Sequence, residues 1–175
     1  MTQKLIAELK RNSDKAQKQF YYKYADMMFL LIYRYVNNEQ DAGSIINQGF
    51  YKIFIKINDF SYINEQALIG WMKKIMINEA LSFLRKKIHY VDINENYSNS
   101  SFAQNIAENN LALEEYYNLI TGLPPDLRTV FNMYAIDGYT HKEISEKMGI
   151  KESSSRVYLL RARKVLQEKL LNHGK

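Results

Sequence analysis

The 175-residue sequence has no cysteine, which excludes a disulfide framework and any metal site built from thiolates. Its two prolines and seven glycines are too few for an all-β fold, which needs a turn every few residues. Its three histidines do not have the spacing of a metal site. No apolar run is long enough to span a membrane, and no signal-peptide core opens the chain. We therefore expect an all-α protein that needs no metal or cofactor, does not insert into a membrane and works in the cytoplasm.

The net charge of +5 is unevenly distributed along the chain. Residues 1–87 carry 14 basic and 8 acidic side chains, whereas residues 88–122 carry 5 acidic side chains and no Lys or Arg. Residues 123–175 return to a basic balance, with 10 basic and 6 acidic side chains. Two basic blocks suit a polyanion such as nucleic acid. A solvated surface with an ordinary excess of lysine would give the same balance.

Apolar residues recur at helical spacing through both basic blocks. Residues 65–87 are apolar on more than one face, which is typical of a helix at the centre of a bundle. Residues 58–64 have the composition of a loop, and residues 88–109, rich in Asn and Ser, have the composition of a linker. We therefore expect two helical domains that are joined by this linker. The predicted helices cover about residues 5–9, 15–35, 41–57, 65–87, 111–120, 123–137, 141–148 and 152–171.

The segment THKEISEKMGIKESSSRVYLLRARKVL has the order of a helix-turn-helix. Thr140 and Glu143 form a capping box at the start of a short helix, and Gly149 ends that helix in the left-handed conformation. The first turn of the second helix usually reaches base edges in the major groove, while flanking cations contact phosphates. A helical hairpin with a solvated basic face is the alternative, but these features together favour DNA binding. The predicted DNA-binding residues are Thr140, Lys142, Ser153, Ser154, Arg156, Val157, Arg161 and Lys164.

The second helix also has a predicted buried face. Leu159, Ala162, Leu166 and Leu170 lie along one side of it, and we expect all four to pack against the preceding helices.

Two segments resemble the sigma factors of bacterial RNA polymerase, specifically the small extracytoplasmic-function (ECF) class of the sigma-70 family. The C-terminal resemblance lies in LPPDLRTVFNMYAIDGYTHKEISEKMGIKESSSRVYLLRARKVL. The N-terminal resemblance lies in FYYKYADMMFLLIYRYVNNEQDAGSIINQGFYKIF followed by LIGWMKKIMINEALSFLRKK. The resemblance covers nearly the whole chain except the linker. It implies a protein that directs core RNA polymerase to specific promoters and initiates transcription by binding and melting promoter DNA.

The resemblance also implies a division of labour. Residues 1–87 would bind core polymerase and the downstream (−10) promoter element, residues 88–109 would be the linker, and residues 110–175 would bind the upstream (−35) element. A loop over residues 58–66 would hold a flipped base, although the single tryptophan, Trp71, could equally be a core anchor. The implied polymerase-binding residues are Asp41, Ser44, Ile45, Asn47, Gln48, Tyr51 and Lys52. The implied −10-binding residues are Phe60, Tyr62, Trp71, Lys74, Asn78, Arg85 and Lys86.

Some positions depart from the family. Ser44 and Gln48 stand where the family usually has acidic residues that face basic side chains of the polymerase, which implies a weaker contact or a different partner surface. Ser155 replaces a frequent Val, and we expect looser packing there. These departures leave two alternatives open: a helix-turn-helix regulator that is not a sigma factor, or a helical protein-interaction module.

Two further expectations complete the sequence analysis. The sequence has no Ser/His/Asp grouping and no phosphate-binding glycine loop, so we expect no catalysis by this chain. The family often has an anti-sigma partner, and the sequence leaves open whether this protein has one.

Overall fold

The structure, a computed structural model, describes residues 2–90 and 111–173. These residues form helices and their connections, with no strand among them, which confirms the all-α prediction. Three residues of the predicted linker (88–90) belong to the fourth helix, and the rest of it lies outside the described residues. The helices are α1 (Thr2–Leu9), α2 (Asp14–Val36), α3 (Glu39–Lys56), α4 (Glu65–Tyr90), α5 (Leu111–Thr121), α6 (Pro125–Phe131), α7 (His141–Met148) and α8 (Glu152–His173).

The described residues divide into two compact helical units. Residues 2–33 and 38–90 form the first unit, and residues 34–37 and 111–173 form the second. In the first unit, α3 packs against α4 around a core of aromatic and aliphatic side chains. Gly49 of α3 makes this close approach possible, because a Cβ atom there would meet the Met76 side chain of α4.

Local signals fix where the helices of the first unit begin. Asn37 adopts a positive φ of 51°, and the side chain of Asn38 caps α3 by accepting from the backbone N–H of Asp41 at 2.9 Å. Asn64 acts in the same way before α4, where its side-chain oxygen accepts from the backbone N–H of Ala67 at 2.8 Å. One 3₁₀ turn, Ile57–Asp59, follows α3 directly.

A buried arginine organises the start of the second unit. Arg128 is 2% exposed, and its Nη1 donates to the carbonyl oxygens of Thr121 at 2.7 Å and Leu123 at 3.4 Å. These carbonyls lie at and just beyond the end of α5, where helical partners run out, so the guanidinium satisfies them. The predicted helix over residues 123–137 starts with Pro125 in its first turn but changes pitch, because a π-helical turn, Asn132–Ile136, follows α6.

Candidate nucleic-acid interface

The helix-turn-helix predicted in the second unit is present in the structure. Thr140 Oγ1 accepts from the backbone N–H of Glu143 at 3.2 Å, and the Glu143 carboxylate accepts from the backbone N–H of Thr140 at 2.8 Å. Gly149 ends α7 with a φ of 68°, a left-handed conformation that glycine adopts without strain. Ser145 Oγ donates to the carbonyl of Ile150 at 2.6 Å and holds the turn. Ile144 is fully buried between the helices.

The buried face of α8 is shorter than the sequence predicted. Leu159 and Ala162 are buried, and Leu166 is half-buried. Leu170 is 57% exposed, so the prediction that it packs against the preceding helices is wrong. The reason is length: α8 has 22 residues, whereas α6 has 7 and α7 has 8, so its last turns extend beyond them.

The opposite face of α8 is exposed and basic. Val157 is 43% exposed, and Arg161 and Lys164 follow it at steps of four and three residues on the same side. Arg156 pairs with Glu152 at 2.5 Å, one helical turn earlier. The first turn of α8 lies beside the start of α7, where Thr140 and Lys142 are exposed. Of the predicted DNA-binding residues, Ser154 alone is half-buried, and the exposed ones are Thr140, Lys142, Ser153, Arg156, Val157, Arg161 and Lys164.

The contact that joins the two helices at this point involves Ser155. Its side chain is fully buried, and its Oγ lies 2.9 Å from Nδ1 of His141, the first residue of α7. The imidazole ring also stacks on Tyr134, with ring centroids 4.4 Å apart. The buried Ser155 thus joins α7 and α8 through a hydrogen bond, and the expectation of looser packing there stays a prediction. Burial lowers the pKa of His141, and the nearby Arg156 and Arg163 lower it further.

In the first unit, an exposed stripe runs along α4. Lys74, Asn78 and Arg85 are exposed and follow the half-buried Trp71 at steps of three, four and seven residues, which places all four on one side of the helix. Lys86 is exposed at the end of this stripe, and the half-buried Tyr62 lies in the loop before the helix. A row of cations and one amide beside an aromatic ring suits the backbone and bases of a nucleic acid.

Phe60 differs from the role that the sequence suggested. It is 9% exposed, and its ring stacks on that of Trp71 with centroids 4.7 Å apart. Lys10, which directly follows α1, donates to the carbonyl oxygen of Phe60 at 2.7 Å and holds the loop against the unit. Phe60 therefore packs against one face of the Trp71 ring and does not offer an open surface to a base.

A third exposed surface lies on α3. Ser44, Asn47, Gln48 and Tyr51 are exposed along one side of it, with Tyr51 at 67%. Ile45 is only 2% exposed, so the prediction that it touches a partner is wrong: it anchors α3 in the core of the unit.

The charged residues predicted on α3 already have partners within the unit. Asp41 pairs with Lys87 at 3.1 Å, and Lys52 pairs with Glu79 at 2.6 Å. Both pairs join α3 to α4. The exposed surface of α3 between them is therefore largely neutral, as the departures at Ser44 and Gln48 indicated.

Sequence reasoning missed three side chains on these surfaces. Ile55 is 58% exposed, four residues beyond Tyr51, and the periodicity of the α3 stripe would have found it. Leu160 is 70% exposed between Val157 and Arg161, and the mixture of apolar and basic residues there gave no pattern from which its exposure could be predicted. His141 gave no local signal, because its partner Ser155 lies fourteen residues away.

The described residues also bear on metal binding and membrane insertion. No cluster of three or more His, Asp or Glu side chains in that part of the chain could hold a metal ion. No described helix is both long enough and apolar enough to cross a membrane.

Comparison with known proteins gives matches over both units. The family model described as "Sigma-70, region 4" matches residues 113–166. The ECF RNA polymerase sigma-E factor of Haemophilus influenzae is 24% identical over 181 residues, which cover 96% of this chain and 94% of that protein. The sigma-E factor of Escherichia coli K12 is 25% identical, with coverage of 96% and 93%.

Two solved structures share the fold. CnrH in complex with the cytosolic domain of CnrY has a TM-score of 0.52 at 16% identity, over 98% of this chain and 97% of that chain. The sigma factor RpoE of Bartonella quintana, in complex with the anti-sigma factor NepR, has a TM-score of 0.54 at 19% identity, over 87% and 95%.

Proposed function

Because the chain belongs to the extracytoplasmic-function class of the sigma-70 family and directs core RNA polymerase to promoters, we propose that it divides this work between its two helical units. Residues 1–87 bind core polymerase and the −10 element, residues 88–109 link the units, and residues 110–175 bind the −35 element. The protein works in the cytoplasm, where RNA polymerase and promoter DNA are found. It performs no catalysis itself.

The helix-turn-helix carries the proposal. Its second helix exposes Val157, Arg161 and Lys164 on one side, while its other side is anchored by buried Leu159 and Ala162. A rigidly mounted helix with a basic outer face can enter the major groove and hold phosphates at the same time. Arg161 and Lys164 position the helix, and the exposed side chains of its first turns meet base edges.

For the −10 element, α4 supplies the surface. Trp71 is half-buried and backed by Phe60, so its ring is held in one orientation while part of it stays open. A fixed aromatic ring costs little entropy when a base stacks on it, and such stacking contributes about 1–3 kcal/mol per base. Lys74, Arg85 and Lys86 hold the strand by its phosphates.

Core polymerase binds the exposed face of α3. Tyr51 offers the largest apolar surface there, and Ser44, Asn47 and Gln48 surround it with neutral hydrogen-bonding groups. Large aromatic side chains surrounded by polar ones are typical of the residues that dominate protein interfaces. We expect Tyr51→Ala to weaken binding to core polymerase by about tenfold or more. Tyr116→Ala, at a 40% exposed tyrosine in the second unit, is the matched control.

An anti-sigma protein is a further proposed partner. Both solved neighbours are complexes with a second protein, one of them named as an anti-sigma factor. Such a partner would bind one of the same exposed surfaces and so block polymerase or DNA.

A run-off transcription assay tests the proposal. The purified chain is combined with core polymerase from its own host and a library of upstream genomic fragments. Specific transcripts that require the chain would support a sigma factor and reveal its promoter sequence. Duplex binding without transcription, with a demonstrably active core, would favour a conventional regulator. Binding to neither DNA nor core would favour a protein-interaction module.

A double variant makes the assay specific to α8. Arg161→Ala with Lys164→Ala should abolish most promoter-dependent transcription at ordinary salt, because two phosphate contacts are lost. Arg11→Ala with Lys15→Ala removes the same charge from exposed positions of the first unit and should leave transcription close to wild type. Equal activity of the two double variants would contradict the assignment of α8.

A further inference from the structure

His141 is held in a fixed orientation between the two helices of the helix-turn-helix. Its Nδ1 lies 2.9 Å from Oγ of Ser155, whose side chain is fully buried. Its ring stacks on Tyr134 at a centroid distance of 4.4 Å and an interplanar angle of 19°. Because the two ring nitrogens of an imidazole point in different directions, the contact through Nδ1 leaves Nε2 pointing away from the buried Ser155 hydroxyl. Nε2 of the half-buried ring is therefore the nitrogen that can bind another partner.

The surroundings of His141 disfavour its charged form in the free protein. Burial is the main cause of its lowered pKa, Arg156 and Arg163 of α8 add to the effect, and Glu152 partly opposes it. The π-helical turn contributes the ring of Tyr134, which stacks on the imidazole. The imidazole of the free protein therefore favours its neutral form more strongly than an ordinary histidine does.

The position of His141 is next to residues already assigned to DNA. Lys142 is its exposed neighbour on α7, and Arg156 lies beside it on α8. A DNA phosphate that approaches this corner brings a negative charge, which offsets the repulsion from Arg156 and Arg163. An anion close to an imidazole favours the charged ring and so raises its pKa.

We propose that His141 contacts a backbone phosphate of the upstream promoter element through Nε2 and takes up one proton from solvent as the DNA binds. The inference rests on the DNA-binding role proposed for the helix-turn-helix. The only covalent change is protonation of the neutral imidazole, with the proton supplied by water. A histidine suits this corner because a third permanent cation would repel Arg156 and Arg163 in the free protein, whereas histidine becomes charged when the phosphate arrives.

The test measures how promoter affinity depends on pH. The full chain in complex with core polymerase is titrated with a fluorescein-labelled duplex that carries the promoter found by run-off transcription, at several values between about pH 8 and about pH 6. Proton uptake by one group changes an equilibrium constant by at most tenfold per pH unit. We expect the affinity of the wild type to rise about three- to tenfold more over this range than that of His141→Gln.

Control variants separate this histidine from other causes. His141→Gln keeps a side chain that can hydrogen-bond to Ser155 but cannot become charged, and its unfolding temperature at about pH 8 is compared with that of the wild type. His89→Gln and His173→Gln alter the two other histidines and should keep the wild-type pH dependence.

The outcomes distinguish the two proposals. Promoter binding with the same pH dependence in the wild type and in His141→Gln would overturn the role of His141 and leave the sigma-factor function intact. Absence of promoter binding by the wild type at every pH would overturn both. An NMR titration of His141 gives a second measure: its pKa should lie below the ordinary histidine value in the free chain and rise when the duplex is added. A pKa that the duplex does not raise would contradict the proposal.

Discussion

Replacing Thr140 by alanine distinguishes a role in the fold from a role in DNA binding. The sequence placed Thr140 among the DNA contacts, yet the structure shows its hydroxyl engaged at the start of α7. Oγ1 accepts from the backbone N–H of Glu143 at 3.2 Å and donates to the Glu143 carboxylate at 2.9 Å. Thr140→Ala removes both contacts but keeps the bond from its own backbone N–H to that carboxylate.

The expected cost follows from these contacts. Loss of a threonine cap destabilises a protein by about 1 kcal/mol. A loss of this size lowers the unfolding temperature of a domain of 60–100 residues by about 4–8 °C. The unit should still be folded at ambient temperature, since small domains are stable by about 5–15 kcal/mol. Promoter affinity of Thr140→Ala should therefore stay within about twofold of the wild type, which corresponds to less than 0.5 kcal/mol.

The assay combines two spectroscopic signals. Far-UV circular dichroism follows the helices of both units, whereas fluorescence follows only the first unit, because Trp71 is the only tryptophan. Thr140→Ala should lower the unfolding temperature of the second unit and leave the unfolding temperature reported by tryptophan fluorescence unchanged. Thr140→Ser should restore the cap and with it the wild-type unfolding temperature. If Thr140→Ala unfolds at the wild-type temperature but loses promoter affinity by about tenfold or more, Thr140 is a DNA contact and not a structural cap.

Three further predictions test other parts of the structure. Arg161→Gln should reduce the slope of log affinity against log salt concentration by about 0.9, the value for one phosphate contact, and an unchanged slope would exclude that contact. Arg128→Met should destabilise the second unit by about 3 kcal/mol in urea unfolding, because it leaves carbonyls at the end of α5 without their charged donor. The pKa of Glu65 is lowered chiefly by its hydrogen bond from Lys23, so its contribution to stability is present at neutral pH and is lost as the pH falls through that lowered pKa. Glu65→Gln should accordingly flatten the acid side of the pH–stability curve of the first unit, and an identical curve would contradict this.

Much of the fold could be read from the sequence because its signals are local. The Thr140–Glu143 capping box and the left-handed Gly149 act within one or two turns of a helix, and both are found where the sequence predicted them. Apolar spacing likewise located α2, α3 and α4 to within a few residues. The π-helical turn after α6 was missed, since nothing in the spacing of residues 123–137 distinguishes it from an ordinary helix.

The candidate surfaces were predicted less completely, because exposure depends on which neighbour covers each face. Ser44 and Ile45 are adjacent in sequence, yet one is exposed and the other is in the core. Phe60 was expected to be open, but the ring of Trp71, eleven residues later, stacks on it. Leu170 fits the apolar side of α8 but lies beyond the short helices that would bury it.

The helical class, the helix-turn-helix and its basic outer face could all be predicted from the sequence, since capping, helical periodicity and charge are properties of short segments. Three features became visible only in the folded chain: Ser155 bonds to His141, Phe60 packs against Trp71, and Ile45 is buried in the core of its unit. Each of these depends on packing between helices, where a hydrogen bond or a buried contact forms only if both elements arrive at the right distance.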